Sequence, residues 1–272
     1  RQSHPGAPLF NTETDGCLPM EIVLARSDDD GQSWGPWQRV PLPARLGPPS
    51  LTAPILALPD GGLVMSIETN KTYADAGPWD QRAVFLGSGD GGTTWSEPRT
   101  VARDPSGRLF NWDMRCAVRP DGRIETFAWT YDTSAGAYLD IHRRTATADA
   151  SDVTEPVPLG FADQPGRPAI LPDDRLVLPY VDRFGAGQIC ARVAHGPDGD
   201  FGAPIVLHRQ EAQTDTASAG EETLSQMSQW SYGLPSAEVL PGGAVLILWY
   251  AGTPERMDIH WARLIDPEPA ER

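Results

Sequence analysis

Ser27-Asp28-Asp29-Asp30-Gly31-Gln32-Ser33-Trp34 and Ser88-Gly89-Asp90-Gly91-Gly92-Thr93-Thr94-Trp95 are two copies of one pattern, Ser-x-Asp-x-Gly-x-(Ser/Thr)-Trp. Each follows an apolar, strand-like run, residues 21–26 and 82–87. Asp bonds its own backbone and Gly accepts positive φ, so each copy reads as a tight turn after a strand. The closing Trp is expected to fold back as an apolar plug between neighbouring sheets. Two copies mean a repeat architecture, and repeats decide the fold.

A second signal recurs. Leu58-Pro59-Asp60-Gly61-Gly62, Arg119-Pro120-Asp121-Gly122-Arg123, Leu171-Pro172-Asp173-Asp174-Arg175 and Leu240-Pro241-Gly242-Gly243 are hairpin turns by composition. Each precedes an apolar strand: residues 63–67, 124–129, 176–180 and 245–250. Third strands follow at 139–143, 188–193 and 259–264. Residues 147–152 and 195–201 are degenerate copies of the first pattern, with Phe201 standing in for Trp. Four strands per unit, every ~50–70 residues, is a propeller blade. The fold class is therefore all-β, a β-propeller of four-stranded blades in one domain over 1–272.

Ser88 lies thirty residues after Leu58, and that offset applied to Ser27 puts the first hairpin turn upstream of residue 1. Five units are expected, the first lacking its inner strands and the last ending after about three. The polar stretch 209–229 reads as a long loop, the kind that covers sites in compact domains.

Composition bounds the function. With 27 Gly, 27 Pro and nine Trp in 272 residues, many short strands and turns are favoured. A net charge of −15 argues against nucleic acid and anionic membranes as partners. No apolar run is long enough to span a bilayer. Cys17, Cys116 and Cys190 form neither a metal pattern nor a disulfide framework. The five His have no metal-ligand spacing, and Asp28-Asp29-Asp30 lacks the alternating oxygens of a calcium loop. No metal and no cofactor are expected.

In a propeller the inner strands start around the axis, and ligands bind at that mouth. Candidates there are Asp113, Arg115, Arg167 and Tyr232. Glu68 ends a second strand, and the neighbouring loops add Asp15, Trp79, Asp80, Arg82, Trp129, Asp132, Asp182 and Arg183.

The two opening stretches are similar to the Asp-box, or BNR repeat, of the sialidase-like superfamily. Residues 232–250 with 259–264 resemble that family's closing blade, and residues 166–179 its mid-propeller repeat. The resemblance implies six blades, a nucleophilic Tyr at the place of Tyr232 and an acid/base Asp at the place of Asp15. It further implies arginines on a substrate carboxylate, for which Arg115 and Arg167 are the two candidates. Glu68 would activate the phenol, which ionises near pH 10 in water and needs a carboxylate neighbour. A neutral phenol suits an anomeric carbon that bears a carboxylate, where Asp or Glu would be repelled. The family's opening Arg-Ile-Pro motif does not occur in this sequence.

The expectation is a carbohydrate-active propeller, an exo-sialidase type glycoside hydrolase on acidic glycans, with Asp113, Arg82, Trp79 and Trp129 also touching the sugar. Secretion or the periplasm is implied by resemblance alone. A polysaccharide lyase on uronic-acid glycans and a non-catalytic glycan- or protein-binding propeller stand beside it. Each residue also has a structural reading: Tyr232 as a packed strand aromatic, Asp15 as a turn former, the arginines as ion-paired tunnel residues, the tryptophans as packing between blades.

Overall fold

The computed structural model describes residues 4, 6–161, 164–196, 199–210, 230–253 and 255–266. Among them all regular structure is strand, save one 3₁₀ turn at Ala44–Leu46. β1 (Val23–Leu24) and β2 (Gln38–Arg39) form a pair. In the first blade, β3 (Pro49–Ser50) and β4 (Leu56–Ala57) both pair with β5 (Leu63–Thr69), followed by β6 (Arg82–Ser88) and β7 (Arg99–Arg103). The second is β8 (Leu109–Val118), β9 (Ile124–Asp132), β10 (Ala137–Ala146) and β11 (Val157–Pro158). In the third, β12 (Gln164–Pro165) and β13 (Ala169–Ile170) pair with β14 (Leu176–Asp182), then β15 (Gln188–Ala194) and β16 (Ile205–Arg209). The fourth is β17 (Tyr232–Val239), β18 (Val245–Thr253) and β19 (Arg256–Leu264).

This is a β-propeller. Among the described residues four blades stand about a common axis, with β1–β2 where the incomplete first unit is expected. The fourth blade has three strands, as read. The hairpin turns fall where their composition put them, with Gly61 and Gly122 at φ 87° and 85°. Residues 211–229, most of the expected long loop, lie outside the described residues.

Blades pack face to face through period-two alternation. Met65 and Ile67 of β5 join Ile22, Val40 and Leu46 on the side of the pair. Val64 points the other way, with Phe85, Met114, Cys116 and Ile124 between first and second blades. Phe127, Ile141, Leu178 and Phe201 fill the next interface, so Phe201 is a buried plug as expected. Val177, Ile189, Ala237, Ile247 and Trp249 fill the last.

The two opening stretches make the same bonds. Ser27 Oγ donates to Asp29 Oδ1 at 2.8 Å, and Asp29 accepts the Ser33 amide at 2.8 Å and hydroxyl at 2.6 Å. Ser88, Asp90 and Thr94 repeat this at 2.8, 2.9 and 2.6 Å. Thr147, Asp149 and Ser151 copy it at the degenerate site, with both hydroxyls 2.8 Å from Asp149. The donors, hydroxyls foremost, hold Asp29 and Asp90 down at about 2.

Two expectations are corrected. Trp95 packs against the cluster between pair and first blade, but Trp34 is 65% exposed and lies over its own turn at Gly31. Among the described residues no sheet covers the outer side of the β1–β2 pair. The strand expected over 21–26 is two paired residues, Val23 and Leu24.

Candidate active site at the axial mouth

The second strands end, and the inner strands begin, on one side of the propeller. Glu68 follows from alternation: it shares the β5 face of Val64 and Ser66, so it is carried toward the second blade. It is buried, and its Oε1 accepts from Thr52 Oγ1 and from the Met114 amide, each at 2.7 Å. Burial, and next the charge of Asp113, push its carboxyl up to about 7 against the opposing hydrogen bonds and Arg115.

Asp113 sits on a bulge of β8 between Trp112 and Arg115, with φ +51°. That conformation is uncommon outside Gly and clusters at functional sites. Its Oδ1 takes Arg115 Nη2 at 3.1 Å and its Oδ2 takes Gln164 Nε2 at 2.8 Å. Arg115 also donates to the Thr52 carbonyl. The two carboxyls thus meet across the first–second blade interface, one buried with a high proton affinity and one held by cationic and amide donors.

The third and fourth blades complete the mouth. Arg183 Nη2 donates to Gln164 Oε1 at 2.7 Å. Its guanidinium lies 3.8 Å over the Trp230 ring and 5.1 Å from that of Tyr232, and it reaches the Tyr232 carbonyl at 3.4 Å. Tyr250 sits behind Gly233 next to Arg183; burial raises its pKa, Arg183 opposing and Asp113 adding.

The structure therefore gathers Glu68, Asp113 and Arg115 in one cluster. Tyr232 lies on the far side of the mouth, where its ring packs toward His208 and its hydroxyl lies beside Gly187. Arg167 is separate: it pairs with Glu238 at 3.0 Å and lines a cavity of about 340 Å³ between the inner strands. Arg82 pairs with Asp80, which also takes Arg103 at 2.7 Å, on the outer strands of the first blade. Asp15 is an exposed turn residue at φ +58°, on a segment strapped to the Tyr73 carbonyl by Asn11 and Thr14. Trp79 donates to the Thr69 carbonyl at 3.4 Å and packs against Phe110 and Trp112. Trp129 is buried, stacked 3.8 Å from Tyr138, so its ring is packing rather than an open platform. Asp132 is held by Arg108 at 2.7 Å.

Sequence reasoning passed over Gln164, Tyr138, Trp230 and Tyr250. The one available signal was position: Gln164 opens an inner strand and Tyr250 nears the end of a second strand. Among the described residues no three His, Cys, Asp or Glu gather as a metal site.

No protein-family model matches the chain, and no curated protein matches it. Solved structures do. A protein of unknown function from Dyadobacter fermentans superposes with a TM-score of 0.70 at 21% identity, over 89% of this chain and 63% of that one. An α-L-arabinanase from Penicillium chrysogenum, complexed with arabinobiose, gives 0.61 at 17% identity, over 93% and 74%. The NanB sialidase from Streptococcus pneumoniae gives 0.55 at 16% identity, over 90% and 35%. The chain thus spans less than two thirds of the first of these and about a third of NanB. At such identities the likeness is one of fold: the neighbours include propeller glycosidases, and this chain is a propeller.

Proposed function

We propose that this chain is a glycoside hydrolase acting on a glycan at the axial mouth. The observation that carries the reading is the pair of carboxyls at the first–second blade interface: Glu68, buried and bonded by Thr52 and the Met114 amide, and Asp113, held by Arg115 and Gln164. Glycosidic cleavage calls for one carboxyl that gives a proton to the leaving oxygen and one anion that faces the developing positive charge of the sugar. Glu68 supplies the proton, since burial keeps it protonated up to about pH 7. Asp113 supplies the anion, held by Arg115 and Gln164. The solved neighbours that cleave sialosides and arabinan support a sugar substrate by fold analogy.

A second, competing reading is sialidase chemistry, with Tyr232 as nucleophile, Asp15 as acid/base and arginines on the substrate carboxylate. The position of Tyr232 at the head of β17, beside Arg183, favours it. The separation of Arg167 from Arg115 disfavours that pairing of arginines and leaves Arg183 as the cation nearer the phenol. The test is product release from a fluorogenic sialoside, arabinan and a uronic-acid polysaccharide, with absorbance of an unsaturated product followed on the last. Hydrolysis of any substrate supports the proposal; unsaturated product alone makes the protein a lyase; binding without cleavage makes it a lectin-like propeller.

A further inference from the structure

Gln164 joins the two halves of the mouth. It is buried at the start of β12, and its amide bonds in both directions: Nε2 to Asp113 Oδ2 at 2.8 Å, Oε1 from Arg183 Nη2 at 2.7 Å. The orientation of that amide is forced. Arg183 can only donate, so it must meet the amide oxygen, and the NH₂ group must face Asp113. Arg183 is itself fixed by its stacking on Trp230 and by the Tyr232 carbonyl. Both Asp113 oxygens therefore accept from donors, while the two bonds made to Glu68 converge on one oxygen, Oε1.

We propose that Gln164 is a positioning residue that assigns the proton within the carboxyl pair: by donating to Asp113 it keeps that group the anion and leaves the proton on Glu68. The inference deepens the glycosidase reading and rests on it only for its catalytic consequence. A donor to a carboxylate favours the ionised form, and an anion beside a buried carboxyl favours proton uptake there. The titratable groups that face the pair are Arg115 and Cys116 on β8, Tyr138 on β10, Arg183 after β14 and Tyr250 on β18. Of these only Arg115 and Arg183 are cationic. Arg115 touches Asp113 directly, and Arg183 reaches it through Gln164.

Two variants separate the roles of the amide. Gln164→Met removes donor and acceptor without adding charge. Gln164→Glu keeps an acceptor for Arg183, removes the donor to Asp113 and adds a carboxyl beside it. A rise in both variants, not in Gln164→Glu alone, therefore supports the proposal. The readout is a carboxyl-carbon NMR titration of ¹³C-labelled protein, with resonances assigned by their loss in Glu68→Gln and Asp113→Asn. Such a couple titrates in shared steps. In the wild type the upper step is expected on Glu68. In both variants Asp113 should titrate higher by about one pH unit, a tenfold change in its proton affinity, and take part of the upper step. An Asp113 titration unmoved in Gln164→Glu, the variant that retains the Arg183 contact, overturns the proposal even where Gln164→Met does not fold.

A second readout is the pH–rate profile on whichever glycan is cleaved. Its acidic limb should move up by about one pH unit in Gln164→Met, which removes the donor without adding a charge, while KM holds. An NMR shift in a protein that cleaves no glycan keeps the proton assignment and removes the glycosidase reading. Cleavage with Asp113 unmoved does the reverse.

Discussion

Glu68, on the second strand of one blade, accepts a 2.7 Å hydrogen bond from the backbone amide of Met114, on the inner strand of the next. The bond puts a buried carboxyl beside Asp113, the residue before Met114, and couples the blade interface to protonation. The sign of that coupling is fixed. The folded-state pKa of Glu68 is about 7, against 4.5 for the free side chain. Its contribution to stability is therefore fully present below pH 4.5 and is lost as pH rises through 7. Over that window the loss is roughly 3 kcal/mol. Glu68→Gln keeps an oxygen for Thr52 and Met114 and cannot ionise. Thermal unfolding from pH 4.5 to 8 should show the wild type losing stability relative to Glu68→Gln. His142, whose pKa is lowered by burial, acts oppositely in this window, but equally in both proteins. Parallel curves for the two proteins would contradict the assignment.

The third and fourth blades approach closely at Gly166. Its amide donates to the Pro179 carbonyl at 2.8 Å, and a β-carbon there would press on the carbonyls of Pro235 and, at 2.9 Å, of Pro179. Those are backbone atoms with little freedom to move. Gly166→Ala should cost about 2–3 kcal/mol by overpacking. Denaturant midpoints at constant m-value measure it, and an unchanged midpoint would mean that the interface yields.

Trp34 and Trp95 occupy the same place in the repeated pattern and should behave differently. Trp95→Ala removes packing against Met65 and its neighbours and should cost about 2 kcal/mol. Trp34→Ala should stay within about 0.5 kcal/mol, since its ring is 65% exposed. Equal losses would show that Trp34 is covered in solution.

The repeat was legible because its punctuation is chemical. Asp60-Gly61 and Asp121-Gly122 favour a turn, and an apolar run follows each of them, so the order of the strands could be read off. The direction in which Glu68 points came only with the fold. The mouth was less legible because it is built on bulges. Asp113 at φ +51° and Leu234 at φ +47° interrupt the period of two on β8 and β17, so facing directions beyond them cannot be counted off. Gln164 was passed over because β12 is only two residues long and carries no pattern. Arg167 and Arg115 look alike on paper, each next to an inner strand. Only the fold shows that Glu238 claims one and Asp113 the other.

The central claim, that the Glu68–Asp113 pair carries hydrolysis at the mouth, is tested most directly by turnover of Asp113→Asn beside Tyr232→Phe, on the glycan the wild type cleaves. The account predicts that Asp113→Asn loses at least about a hundredfold in kcat while folding normally, and that Tyr232→Phe retains most of the activity. Full activity in Asp113→Asn with collapse in Tyr232→Phe would contradict it and transfer the chemistry to the phenol.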